Sequence, residues 1–280
     1  MVLLKRMHGL VSKLMRKKIN LVGDTFTHLT GGNKGYSVHG KESKYIEWVK
    51  DGGDATFYLD ATINDGVQDH REGTKYLWLL ESKYIKPGLV ESILDNRQIV
   101  EDTYDIIFTH DQRLLALGDK YKWCPAQGFW IKDPKICDKT KMISMISSNK
   151  QMCEGHRLRL NWIERIGDQV DLYGRGFNEI ADKEEGLCDY MFSVAIENGQ
   201  YGTYFTEKLL DCFATGTIPV YLGAPDIGNY FNKDGIIDLT EEFDISEEIY
   251  YSKMEAIKDN LKRAKKMEIL EDFIWETYFK

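Results

Sequence analysis

The 280-residue chain is poor in cysteine and proline, with five of each, and no apolar run approaches the ~20 residues a membrane span needs. Its cysteines, at 124, 137, 153, 188 and 212, are odd in number, lack CxxC spacing and follow no signal peptide. That pattern fits reduced thiols, so a soluble, cytoplasmic protein is expected. Positive charge is also in deficit. Lys and Arg number 37 against 45 Asp and Glu, for a net charge of −8. General nucleic-acid binding, which draws its affinity from clustered Lys and Arg, is therefore not expected. Several chemical signatures are missing: GxxxxGK followed by Ser or Thr, HExxH, GxSxG, and any pair of aspartates at i and i+2. The last absence removes a common carboxylate pair for holding a metal-bound diphosphate. With 29% charged and 12% aromatic residues, the composition is globular.

What is present divides by pattern. Leu3, Leu4, Met7, Leu10, Val11 and Leu14 recur at helical spacing among Lys5, Arg6, Lys13, Arg16, Lys17 and Lys18. Residues 2–17 thus read as a basic amphipathic helix, either a peripheral contact with an anionic membrane surface or a helix docked on the body. Beyond it, short apolar runs alternate with helical stretches. The runs are Ile19–Val22, Ala55–Leu59, Lys75–Leu80, Tyr104–Phe108, Met142–Ile146, Val170–Tyr173, Met191–Ile196 and Ile218–Leu222. Helical patterns cover Val90–Leu94, Gly155–Ile166 and Glu207–Thr215. Such alternation predicts an α/β protein with parallel sheets covered on both faces. The polar stretch Lys132–Lys141 reads as a linker. The expected divisions are 1–18, an α/β domain over 19–138, a second over 139–245, and a helical segment over 246–280 packing across the domains.

Ligands of open α/β sheets bind beyond the carboxyl ends of the strands. In the first half those ends deliver Glu81, then His110 with Asp111; in the second they deliver Ser147-Ser148-Asn149, Gly174 and Glu197-Asn198-Gly199. The helix over 207–215 has Thr206 as N-cap and Gly216 as C′ residue. Lys208 then sits in a first turn that already carries partial positive charge, where a cation suits only a site that receives an anion or is neutralised by Glu207. A second helix opens with His156, Arg157 and Arg159. Two such starts in one half point to a diphosphate held between helix termini. Gly174-Arg175-Gly176 begins a GxGxxG loop but lacks the third glycine.

These residues resemble glycosyltransferase family 10, the α-1,3/1,4-fucosyltransferases. The family motif F-x-x-x-F-E-N-S, then Y-x-T-E-K-L, then x-P-V/I-x-x-G, is similar to Phe192–Gly199, Tyr204–Leu209 and Thr217–Gly223. Upstream, Ser148-Asn149, Arg157 and Val170-Asp171-Leu172-Tyr173-Gly174 fit the family's order. The resemblance implies a GT-B architecture, two Rossmann-like domains facing across a cleft, with the nucleotide sugar bound by the second. It implies that Arg157 and Lys208 bind the diphosphate of GDP-fucose. Ser148, Asn149, Tyr173, Asn198, Tyr204 and Glu207 complete the implied donor site. No metal and no obligatory cofactor are implied. Glu81-Ser82-Lys83 stands where the family has Glu-Ser-Pro, which makes Glu81 the expected general base, with Asp111 and His110 in reserve. Ile196 and Gly199 depart from the family's Phe and Ser.

The expected function is inverting transfer of fucose from GDP-fucose to a hydroxyl of an acceptor glycan, in an α-1,3-type linkage. A transferase for another GDP-sugar, a nucleotide-sugar hydrolase and a non-catalytic nucleotide-sugar or glycan-binding module stand as alternatives.

Overall fold

The computed structural model describes residues 16–23, 41–240 and 242–280. The helix expected over 2–17 lies outside them except at its end. There Arg16 pairs with Glu42, and Lys17 opens a strand. The chain forms two units: one comprises Met1–Glu81, Gly88–Cys124 and Glu268–Lys280, the other Ser82–Pro87 and Pro125–Met267.

In the first unit, β1 (Lys17–Val22), β2 (Ile46–Val49), β3 (Ala55–Leu59), β4 (Thr74–Trp78), β5 (Ile106–Thr109) and β6 (Tyr121–Trp123) form a sheet in the order β2-β1-β3-β4-β5-β6. All of its pairings are parallel. Helices α1 (Ile63–Gln68), α2 (Leu89–Asp95), α3 (Arg97–Thr103) and α4 (Gln112–Leu115) connect the strands. Ile63, Val90, Ile93, Val100 and Leu114 are buried against Tyr58, Leu77 and Ile107 in one apolar layer. The other face buries Phe57, Trp78 and Phe108 with Leu270 and Ile274, which belong to α9 (Leu270–Ile274) near the end of the chain. The aromatic C-terminal residues therefore complete the first unit's core.

In the second unit, β7 (Lys141–Ile146), β8 (Asp171–Tyr173), β9 (Tyr190–Ile196), β10 (Ile218–Leu222) and β11 (Ile237–Asp238) form a parallel sheet in the order β11-β10-β9-β7-β8. Helix α5 (Glu154–Ile166) follows β7 and α6 (Glu207–Thr215) follows β9; α7 (Glu247–Ser252) and α8 (Met254–Ala264) come after the last strand. Central β9 is buried along its whole length. Its continuous apolar run marks a strand covered on both faces. In α6, Leu209, Leu210 and Phe213 are buried, and Gly216 closes the helix at φ +71°, a left-handed angle that favours glycine.

Three expectations change. The units divide at 124/125, not at 138/139. The stretch 132–141 is built into the second unit rather than spanning between domains: Lys135 N donates to Ala214 O, Cys137 N to Thr215 O, and Lys139 Nζ to the carbonyls of Leu187, Cys188 and Thr215. Cys137 and Cys188 are disulfide-paired with their Cα atoms 5.2 Å apart, while Cys124, Cys153 and Cys212 are free and buried. This pairing removes two of the five thiols on which the expected reducing compartment rested. Among the described residues, no helix is long and apolar enough to cross a membrane.

Candidate donor site

In the second sheet the strand order reverses direction between β7 and β9, because β8 lies on one side of β7 and β9–β11 on the other. At such a switch point the loops leaving neighbouring strands diverge and open a crevice at the carboxyl ends. Ser147–Asn149 leave β7, and Glu197–Gly199 leave β9. The two loops meet closely. A Cβ on Gly155, in the first turn of α5, would come within 2.5 Å of the Asn198 backbone. Only glycine admits that approach, and it brings the start of α5 against the end of β9.

The long β9–α6 loop is held in a defined shape. Buried Glu197 accepts the Thr206 backbone N–H at 2.8 Å and its hydroxyl at 2.7 Å, tying the strand end to the helix cap. Thr203 sits at φ +65°, a costly angle for a β-branched residue, and donates its N–H to Asp226 at 2.8 Å. Tyr201 stacks on Tyr204 with centroids 4.6 Å apart, and Lys83 Nζ lies 4.1 Å above the Tyr201 ring. The buried Tyr204 hydroxyl shares a hydrogen bond with Ser82. A Cβ on Gly199 would overlap the ring of Tyr84. The glycine that stands in place of serine here is what lets Tyr84 pack against the loop.

The charged groups converge at the two helix starts. Arg159 is 5% exposed and donates to Ile196 O at 3.1 Å and to Asn198 Oδ1 at 3.0 Å, leaving its Nε–H buried without an acceptor among the described residues. Lys208 Nζ donates to Thr206 Oγ1 at 3.1 Å and to Glu207 Oε1 at 3.0 Å, and lies 3.8 Å from Glu197 Oε2. Burial alone would raise the Glu207 carboxyl. The Lys208 and Lys183 cations outweigh it and hold the group near a pKa of about 2. Its Oε2 is buried and accepts no hydrogen bond among the described residues. Burial raises Glu197, helped by the like charge of Glu207 and opposed by Lys208. His156 Nδ1 accepts the Met152 N–H at 3.2 Å. Burial, then the Arg159, Lys150 and Lys208 cations, push this imidazole down to about 4.

The structure thus brings Asn198, Tyr204, Glu207 and Lys208 together between the end of β9 and the start of α6, and Ser148 leaves neighbouring β7. Arg157 does not join them: it is exposed on α5, with Nη1 3.5 Å from Gln151 O. Arg159, two residues on, reaches Asn198 instead. Asn149 is exposed, its backbone N–H donating to Arg175 O. The Tyr173 hydroxyl is committed within the sheet, 2.7 Å from that of Tyr190, which donates to Asp171 at 2.6 Å. Sequence reasoning left Glu197 without a role although it stands inside the β9 motif, and it had no signal for Lys183.

The first unit holds the remaining candidates. Half-buried Glu81 follows β4, and its N–H faces both carboxylate oxygens of buried Asp60, which also accepts Leu80 N at 2.9 Å. His110 is 3% exposed; burial lowers its pKa to about 4 against hydrogen bonds with the backbone of Leu80 and Glu81. Asp111 is buried, caps α4 by accepting Arg113 N at 2.9 Å, and pairs with the Arg113 guanidinium at 3.1 Å. Both reserve bases are engaged in holding the strand end and its helix.

Comparison with known proteins follows the same residues. Residues 136–270 match the profile of glycosyltransferase family 10 (fucosyltransferase), C-terminal. The chain is 35% identical over 184 residues to the alpha-(1,3)-fucosyltransferase FucT of Helicobacter pylori, covering 61% of this chain and 37% of that protein. It is 25% identical over 133 residues to the mouse 4-galactosyl-N-acetylglucosaminide 3-alpha-L-fucosyltransferase 9, covering 45% and 36%. These matches take in little more than a third of either relative's length. A crystal structure of an alpha1,3-fucosyltransferase shares the fold, with a TM-score of 0.51 at 17% identity over 88% of this chain and 80% of that one. The two parallel-sheet units are those of a GT-B protein.

Proposed function

We propose that this chain, whose residues 136–270 match the glycosyltransferase family 10 (fucosyltransferase) profile, transfers fucose from GDP-fucose to a hydroxyl of an acceptor glycan with inversion. The observation that carries the reading is the charge cluster at the switch point. Two helix N-termini, Arg159 and Lys208 are gathered there beside a buried, ionised Glu207 whose Oε2 has no donor among the described residues. A diphosphate answers the first set, and a sugar hydroxyl answers the orphan oxygen.

In the proposed reaction the bond from the anomeric carbon to the diphosphate lengthens, and negative charge builds on the departing phosphate. Arg159, Lys208 and the N–H groups opening α5 and α6 stabilise that charge where it develops, which lowers the barrier rather than merely tightening binding. Neutralisation by these cations asks for no obligatory metal, an expectation that turnover in excess EDTA checks. Glu81 is proposed as the base that takes the acceptor hydroxyl proton as its oxygen attacks. This is supported by its place after β4 and by the fixing of its backbone by Asp60.

Glu81→Gln tests the assignment. Transfer is expected to fall by about a thousandfold, within the usual range for loss of a general base, with GDP affinity unchanged. Near-normal turnover would move the base elsewhere. Release of GDP from GDP-fucose with and without acceptor glycans separates transfer from hydrolysis, and other GDP-sugars in the same assay test the donor.

A further inference from the structure

The charges at the mouth of α6 form a line. Asp211 Oδ2 accepts from Lys183 Nζ at 2.5 Å, and Lys183 lies 3.7 Å from Glu207 Oε1. That same oxygen accepts from Lys208 at 3.0 Å, and Lys208 lies 3.8 Å from Glu197 Oε2. Acid and base alternate along its length, and all three carboxylates are buried. The donor reading uses Glu207 and Lys208 but leaves Lys183 and Asp211 without a task.

Lys183 is fixed from two sides. Its ammonium lies 4.3 Å above the Trp130 ring, and the Trp130 backbone N–H donates to the other oxygen of Asp211 at 2.5 Å. Burial alone would lower the Lys183 pKa, but Asp211 and Glu207 carry it above the usual value, so it keeps its charge. Burial raises Asp211 to about 6 even with Lys183 beside it.

Lys208 is the movable member. It is part-exposed, and the ammonium groups of lysines follow the strongest anion in reach. If Lys208 turns toward a diphosphate, Glu207 loses its nearest counter-charge while remaining buried, and an unpaired buried carboxylate is costly. Lys183 already stands beside the same oxygen. We propose that Lys183 is a positioning residue for donor binding: it holds Glu207 charged and in place, which releases Lys208 to the diphosphate. The inference rests on the reading of Lys208 as the diphosphate lysine.

The test is calorimetric titration of guanosine, GMP and GDP into the full chain and its Lys183→Met, Lys183→Gln, Lys183→Arg and Lys208→Met variants, with folding followed by melting temperature. Without Lys183, Lys208 stays bound to Glu207. GDP affinity should then fall by about tenfold or more while guanosine affinity stays within about twofold, and Lys183→Arg should restore most of the loss. Lys183→Gln keeps length and a hydrogen bond to Asp211 without the charge, so it should behave as Lys183→Met does. A merely structural lysine would weaken all three ligands together as the melting temperature drops, and that result overturns the proposal. If Lys208→Met abolishes the advantage of GDP over guanosine and the Lys183 variants do not, the proposal fails while the donor site stands. If neither does, the diphosphate is held elsewhere and both readings fall.

Discussion

In the second unit, the carboxyl end of β9 gathers Arg159, Glu197, Glu207 and Lys208 into one array in which, among the described residues, two buried polar atoms are unmatched. In the first unit, the residues after β4 and β5 turn their polar groups inward: Asp60 accepts the backbone of Leu80 and Glu81, and Asp111 caps α4 and binds Arg113. Both sheets are parallel and both place a strand-order reversal near the start of their unit. Topology alone therefore does not make a binding site. A site is read from where cations and buried carboxylates cluster at the strand ends, and in the second unit Arg159, Lys183 and Lys208 gather with Glu197 and Glu207 at the end of β9.

The largest expected effect breaks that contrast at its centre. Arg159→Ala removes a buried guanidinium bonded to the end of β9, and GDP affinity should fall by about a hundredfold. Arg157→Ala, on the exposed face of the same helix, should change it by about threefold or less. Equal losses would mean that both arginines reach the ligand. Next in size is Gly199→Ser. The added side chain must displace Tyr84, at a cost of about 1–3 kcal/mol. Amide exchange in the 198–206 loop should accelerate and donor KM should rise, and adding Tyr84→Ala should relieve both; a silent Gly199→Ser would show that the loop tolerates the displacement.

The remaining effect belongs to the first unit and bears on stability rather than on binding. The folded His110 pKa of about 4 lies below the usual histidine value of 6.5, so the folded protein binds fewer protons than the unfolded chain between those limits. The stability this gives is complete above pH 6.5 and lost as pH falls toward 4, at most roughly 3 kcal/mol. His110→Asn should flatten the fall in melting temperature across that window. His156, held near the same value, contributes the same sign and should remain. An unchanged slope in His110→Asn would show that His110 does not carry the acid sensitivity.

Much of this contrast was legible before the fold. The bounds of α6 follow from Thr206 and Gly216, because caps are local chemistry: the hydroxyl accepts Lys208 N and the glycine takes the left-handed angle. The donor loop was legible for the same reason, as a contiguous run of residues. The edge strands β2, β6 and β11 were not, since strands of four, three and two residues carry too little alternation to register. The choice between Arg157 and Arg159 depended on which face of α5 meets β9, a matter decided by Gly155 against Asn198. Lys183 reaches Glu207 only through the folded sheet. The stretch 132–141 looked like a linker because its lysines are polar in sequence, yet Lys139 is surrounded by carbonyl oxygens.

One measurement tests the central claim most directly: the position of the β-phosphate in a crystal of the full chain soaked with GDP. It is expected between the first turns of α5 and α6, within hydrogen-bonding distance of both Arg159 and Lys208. A β-phosphate bound away from both residues would contradict the account.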